Sequence, residues 1–124
     1  MRQKIVDMYN NKFEDWCSLL DTIEPCFVMV DSIFNYREYK NVNGYFLIRT
    51  NFNIFFVNPL TTTFRHRLDG PAILYSNGEE TWCINNHDVT DKITKWAEEN
   101  NIDLDNLSEH DKLLIKLVWA DYGK

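Results

Sequence analysis

The chain has 124 residues, 44% of them apolar and 15% aromatic, which suffices to bury one core without metals or disulfides and fits a single domain spanning residues 1–124. Its formal charge of −6 is unevenly placed, since residues 1–68 carry 8 Lys/Arg against 7 Asp/Glu and residues 69–124 carry 5 against 12. That polarity disfavours a binder of phosphate backbones, which needs a basic face, and suits a protein partner with a basic surface.

No run approaches the roughly 20 apolar residues that span a bilayer, so no membrane association is expected. The opening stretch MRQKIVDMYNNKFEDW is charged and interrupted, without the compact apolar segment of a secretory signal. Cys17, Cys26 and Cys83 make an odd set with no short paired spacing, which argues against a disulfide framework. Together these features predict a soluble chain in a reducing cytoplasm.

From Arg2 to about Ile23 the apolar residues Ile5, Met8, Tyr9, Phe13, Trp16, Leu19, Leu20 and Ile23 recur at three- and four-residue steps, predicting an amphipathic helix within residues 1–24. Pro25 closes it, because the residue before a proline is pushed out of helical geometry. The texture then becomes β-rich. Cys26–Val30, Tyr36–Val42, Tyr45–Thr50 and Asn53–Val57 read as strands, with Asn43-Gly44 as a two-residue hairpin turn between the second and third. On that turn, Glu38 falls opposite Arg49.

The stretch RHRLDGPAILYSNGEETWCINNH, residues 65–87, holds the next hairpin. Asp69-Gly70-Pro71 reads as a turn, Ala72–Ser76 as a strand, Asn77-Gly78 as a two-residue loop and Glu79–Ile84 as the returning strand. That loop pairs Tyr75 with Glu80, Ile73 with Trp82 and Ala72 with Cys83, and alternation gathers Ile73, Tyr75, Trp82 and Ile84 on one core-side face. Two helices follow in an acidic segment, residues 88–124. The first runs from about Val89 to Asn100, with Asp88 or Thr90 as cap; the second starts at Ser108, whose spacing to Asp111 resembles a capping box. Leu114, Leu117 and Val118 are expected to face inward, Gly123 to stop the helix, and Ile102, Leu104 and Leu107 of the connector to tuck against the core. The predicted class is α+β: an N-terminal helix, an antiparallel β-meander of about six strands over residues 26–87, and two C-terminal helices.

His66-Arg67-Leu68-Asp69-Gly70-Pro71-Ala72, followed by Asn77-Gly78, Trp82, Ile84-Asn85 and His87, resembles the H-R-x-D-G-P-A … N-G … W-x-I-N-G-x-x-H repeat of small tailed-bacteriophage proteins, itself similar to MORN-type hairpin repeats. The likeness covers about a fifth of the chain and departs at Asn85-Asn86, where the repeat has Asn-Gly; a degenerate copy is suggested around Val42–Phe46. It implies a phage origin, a hairpin meander and action in a host cytoplasm, and it brings no catalytic residues with it.

The chemical readings of this cassette are weighed against scaffolding. His66 and His87 bracket the hairpin and form an acid/base pair only if they share a cleft. The plainer reading has His66 donating to a turn carbonyl, with Asp69, Gly70 and Pro71 making one turn and Asn77 and Gly78 the other. Cys83-x-x-x-His87 is half a zinc spacing, with Cys17, Cys26, His66 and His110 as conceivable partners, but a closed site wants two such halves. Asp69, Asp88 and Asp91 match no magnesium-nuclease or phosphate-loop signature, and Ser18 and Ser32 lack a base at a useful spacing. No metal, cofactor or catalytic residue is therefore expected.

Arg65 and Arg67 alternate to one face, where Arg37, Lys40 and Arg49 with Tyr36, Tyr39 and Tyr45 make a case for stacking single-stranded nucleic acid; this is the alternative function. The leading expectation is a non-enzymatic phage accessory protein that inhibits a host protein by surface occlusion. Its contact residues are Glu98, Glu99, Asp103, Asp105 and Glu109 on the acidic side, and Arg65, Arg67 and His87 beside the hairpin. An unpaired sheet edge or the aromatic surplus also allows a homodimer.

Overall fold

A computed structural model describes residues 12–31 and 33–124 of the chain. The fold is α+β and, among the described residues, has an N-terminal helix, a six-stranded antiparallel sheet and two C-terminal helices. Helix α1 spans Lys12–Leu20; the part of the expected helix before Lys12 lies outside the described residues. The sheet follows chain order through β1 (Phe27–Val30), β2 (Asn35–Val42), β3 (Tyr45–Thr50), β4 (Asn53–Val57), β5 (Ile73–Tyr75) and β6 (Glu80–Thr81).

Asn43 and Gly44 both take positive φ, 51° and 86°, as the two-residue turn requires, and Val42 lies opposite Tyr45. The register then slips. Asn41 sits at φ 57°, an extra residue in β2, so that Arg37 rather than Glu38 stands opposite Arg49. The expected Glu38–Arg49 pair is replaced by two others: Arg49 Nη1 reaches Asp21 on the α1 side at 2.7 Å, and Glu38 accepts from the Tyr36 hydroxyl on its own strand at 2.6 Å.

Alternation sends Tyr39, Leu47, Ile54, Phe56 and Leu74 to one face, where α1 lays Leu20, Trp16 and Phe13 across them. The Trp16 ring meets Phe56 edge-on at 5.0 Å. A second cluster joins Trp82, Ile84 and Val89 to the C-terminal helices α2 (Thr90–Glu99) and α3 (Glu109–Trp119) through Ile93, Ile115 and Trp119. Leu104 and Leu107 of the connector pack against it, and Ile102 is half-buried.

Two details of the second hairpin differ from expectation. Ile73 lies opposite Thr81 and Leu74 opposite Glu80, one residue off the register of a two-residue loop. The turn closes instead by Gly78 N donating to Tyr75 O and Tyr75 N to Glu79 O, which makes a three-residue loop with Gly78 in left-handed geometry. A one-residue shift swaps faces. Ile73 and Tyr75 therefore pack with Ala72, Cys83 and Phe55, while Trp82 and Ile84 turn to the helices, so the four do not form one core face. The returning strand also breaks at Trp82, and β7 (Cys83–Ile84) pairs with β8 (His87–Asp88) around Asn85-Asn86. Both asparagines take positive φ, 50° and 68°, so Asn-Asn itself makes the tight turn between β7 and β8.

Helix α3 starts as its sequence indicates, with Ser108 and Asp111 bonded reciprocally in a capping box. Its inward phase is Ile115 and Trp119; Leu117 and Val118, expected inside, are 74% and 53% exposed. At α2 the Asp88 carboxylate accepts from both the Thr90 amide and its hydroxyl.

Candidate functional site

The cassette is an excursion between two stretches that both ladder onto β4. Phe56 O accepts from His66 N at 2.9 Å, and Phe56 N donates to Ala72 O at 2.7 Å, leaving residues 67–71 as a loop standing off the sheet. A loop of this shape needs a plug, and Arg67 supplies it. Its Nε donates to Asp69 Oδ1 at 2.8 Å and its Nη1 to Pro71 O at 3.1 Å, while the guanidinium lies 4.0 Å from the Phe56 ring centre and 5.3 Å from that of Trp16. Gly70 closes over it so tightly that a Cβ there would sit 2.5 Å from Arg67 Cζ. Tyr45, its hydroxyl held protonated by burial, accepts from Leu68 N at 3.1 Å.

Arg67, expected at a contact surface, is therefore buried at 9% exposure and unavailable to a partner. The expected alternation with Arg65 fails because the ladder to β4 ends at the single bridge between Val57 and Arg65; Arg65 remains on the outer face, 5.1 Å above Phe55. Asp69, expected to hold the turn through backbone, takes the arginine instead.

His66 accepts where a donor was expected. Its Nδ1 receives the Asn85 amide at 3.0 Å, and burial, aided by nearby Lys124, pushes its pKa below the usual histidine value. Asn85 in turn donates from Nδ2 to Ala120 O and Tyr122 O, capping the end of α3. His87 is exposed, with its ring edge-on to Tyr122 and pressed against Gly123, which sits at φ 76°. Asn86 completes the weave, exchanging bonds with the Arg65 backbone in both directions. The polar residues of the cassette thus tie three things together: the sheet, the Asn85-Asn86 turn and the C-terminal segment.

Besides a hollow of about 290 Å³ lined by Trp16, Arg67, Asp69, Gly70 and Pro71, two larger open hollows border this frame. One, of about 430 Å³, lies between α1 and the hairpin and is lined by Lys12, Glu14, Asn77, Glu79, Glu80 and Asp105. Lys12 bridges its acids, 3.0 Å from Glu80 and 3.4 Å from Asp105. The other, of about 450 Å³, includes Arg65, Thr81, Cys83, Asn86 and Asp88. Burial and the neighbouring Asp88 push the Cys83 thiol up to about 11, so it is protonated at neutral pH and a poor nucleophile. Neither histidine of the cassette lines either hollow. Cys17, Cys26 and Cys83 are free thiols, and among the described residues no group of three or more His, Cys, Asp or Glu side chains converges as metal ligands.

Glu98, Glu99, Asp103, Asp105 and Glu109 all reach solvent. Asp105 shares Lys12 and Glu109 pairs with Lys112 at 3.2 Å, both on the surface. Beside these acids α3 shows a feature that its residue pattern did not announce: Leu113, Leu117 and Val118 lie outward, 55%, 74% and 53% exposed, with Glu109 one turn before them. Of the cationic set expected to bind nucleic acid, Arg37 and Arg49 stand opposite each other, with Arg49 tied to Asp21, whereas Arg67 is buried and Arg65 lies over Phe55.

No family model, curated protein or solved structure matches the chain. Among the described residues no helix is long and apolar enough to cross a membrane.

Proposed function

We propose that the chain is a non-enzymatic binding protein, of the kind suggested by its likeness to phage hairpin-repeat proteins, that occludes the basic-rimmed surface of a host protein in the host cytoplasm. The observation that carries this reading is the outer side of α3. Leu113 and Leu117, four residues apart, form an exposed apolar pair, with Val118 exposed farther round, on a helix whose opposite side is already buried, and Glu109 stands one turn before Leu113. Apolar anchors within a charged rim are the composition of a helix that docks in a partner's groove. The acids accelerate encounter with a basic rim, and the leucines supply the affinity.

The cassette supports a scaffolding role because its Arg, Asp, His and Asn side chains are each engaged by a neighbour. The test is capture from infected-host lysate with the wild-type chain and with Leu117→Glu. The expected result is a host protein retained by the wild type, weakened by high salt and lost from the variant. A bait that retains nothing, or a partner held equally by both, overturns the reading.

A further inference from the structure

We infer that β1 is a self-association edge, through which two copies of the chain pair antiparallel about a two-fold axis and join their six-stranded sheets into one. The sheet ends at β1, and among the described residues no strand covers its other side. Phe27, Val28, Met29 and Val30 are 46%, 48%, 53% and 54% exposed, so both faces of the strand as well as its edge are open. The strand holds no charge, proline, glycine or bulge, the devices by which sheet edges are ordinarily kept from pairing.

The apolar surface continues past the strand. Asn51 accepts from Asn35 N and donates to Ile33 O, which ties the loop after β1, with Ile33 83% exposed, to the turn after β3, with Phe52 66% exposed. Together these side chains present on the order of 600 Å² of apolar surface per copy, and edge-to-edge pairing covers the flanks of those along the strand while it satisfies the open backbone groups of β1.

Two observations choose a second copy as the occupant. In the full-overlap register Phe27 faces Val30 of the other copy and Val28 faces Met29, so no like charges meet along the ladder. Charge over the whole chain points the same way. Residues 24–57 are balanced, with Arg37, Lys40 and Arg49 against Glu24, Asp31 and Glu38, whereas residues 69–124 carry the acidic excess. Two copies approach most favourably by their β1 ends, which sets their acidic poles farthest apart. Head-to-tail pairing of β1 with β6 is opposed by geometry, since β6 has two residues, one of them Glu80, bonded to Lys12.

Sedimentation velocity over a concentration series is the test. The wild-type chain should show a dimer that dissociates on dilution, and Met29→Lys should raise the dissociation constant about tenfold or more with an unchanged thermal midpoint in dilute solution. Mixing Met29→Lys with Val28→Glu should restore a mixed dimer, because the register sets the new ammonium of one chain against the new carboxylate of the other. If Met29→Lys loses its far-ultraviolet dichroism, Val28→Glu alone is read the same way. A wild-type chain that stays monomeric at every concentration overturns the inference, as does a dimer untouched by these changes and broken by Leu117→Glu on α3.

Discussion

The cassette and the β1 edge are both built from β-strand residues, yet they use polarity in opposite ways. Within residues 65–87 the side chains of Arg67, His66 and Asn85 turn inward, and each is matched by a partner: Arg67 with Asp69 and Pro71 O, His66 with Asn85, and Asn85 with the end of α3. At β1 the apolar side chains turn outward and meet few partners. One region is closed to further chemistry because its polar groups are satisfied; the other is open to association because its apolar groups are not. Local stability should therefore be concentrated in the first and recognition in the second.

The sharpest way to break this contrast is to remove the plug. Arg67→Met leaves Asp69 half-buried without its cation and Pro71 O without its donor, and it deletes the plane that stacks on Phe56. Breaking one partner of a buried pair costs about 3–5 kcal/mol, which urea denaturation should register as a lower midpoint. Arg67→Lys should recover little, because a lysine has no planar fork to satisfy both acceptors. Gly70→Ala attacks the same contact from the other side: its Cβ would meet a guanidinium already fixed by Asp69 and Pro71, an overpacking worth roughly 1–3 kcal/mol. If Gly70→Ala proves neutral in the same titration, the plug is looser than its hydrogen bonds indicate.

These effects explain what was legible in the sequence. Strand and helix identities follow from periodicity, and turn positions follow from Asn-Gly and the Ser108–Asp111 spacing, so the α+β order emerges from residues alone. Register was less accessible, because it depends on single residues in left-handed geometry. Asn41 is such a residue, and its bulge moved Arg49 from Glu38 to Arg37; the three-residue loop ending at Gly78 moved Ile73 from Trp82 to Thr81. The phase of α3 was ambiguous for a different reason. Leu113-Leu114-Ile115-Lys116-Leu117-Val118-Trp119 is apolar nearly all round, so the sequence allows either side to face the core; burial of Ile115 and Trp119 decides it. Arg67 carried no sign of burial in its residue type. The glycine three positions on, pressed against its guanidinium, was the available signal.

A smaller effect sharpens the contrast through pH. His66 must be neutral at Nδ1 to accept the Asn85 amide, and its pKa is lowered by burial first and by Lys124 second. Because the folded pKa lies below the unfolded value near 6.5, the unfolded state takes up the proton first as pH falls. The stabilisation is complete above about pH 6.5 and is lost as pH drops through the folded pKa. His66→Asn, whose Oδ1 reproduces the acceptor without titrating, should flatten the part of the stability profile just below that pH, at a cost of about 1 kcal/mol or less at about pH 7.5. A slope that survives the substitution assigns the effect elsewhere.

The smallest change in stability belongs to β1, and its smallness is the informative part. Val30 is 54% exposed and pairs only with Asn35 of β2, so Val30→Thr keeps the β-branched backbone preference while replacing one open methyl by a hydroxyl that water can solvate. Substitutions of exposed residues away from caps, cores and buried networks fall within about 0.5 kcal/mol, and a thermal melt of dilute protein should place Val30→Thr in that range. At high concentration the comparison reverses, because a paired edge buries that methyl against Phe27 of the other copy and binding to the folded state adds to its stability by mass action. The variant's melting temperature should then fall behind the wild type's as concentration rises, although the two coincide on dilution. A gap that is already present in dilute solution places Val30 in the monomer's own core and removes the distinction between an open edge and a closed cassette.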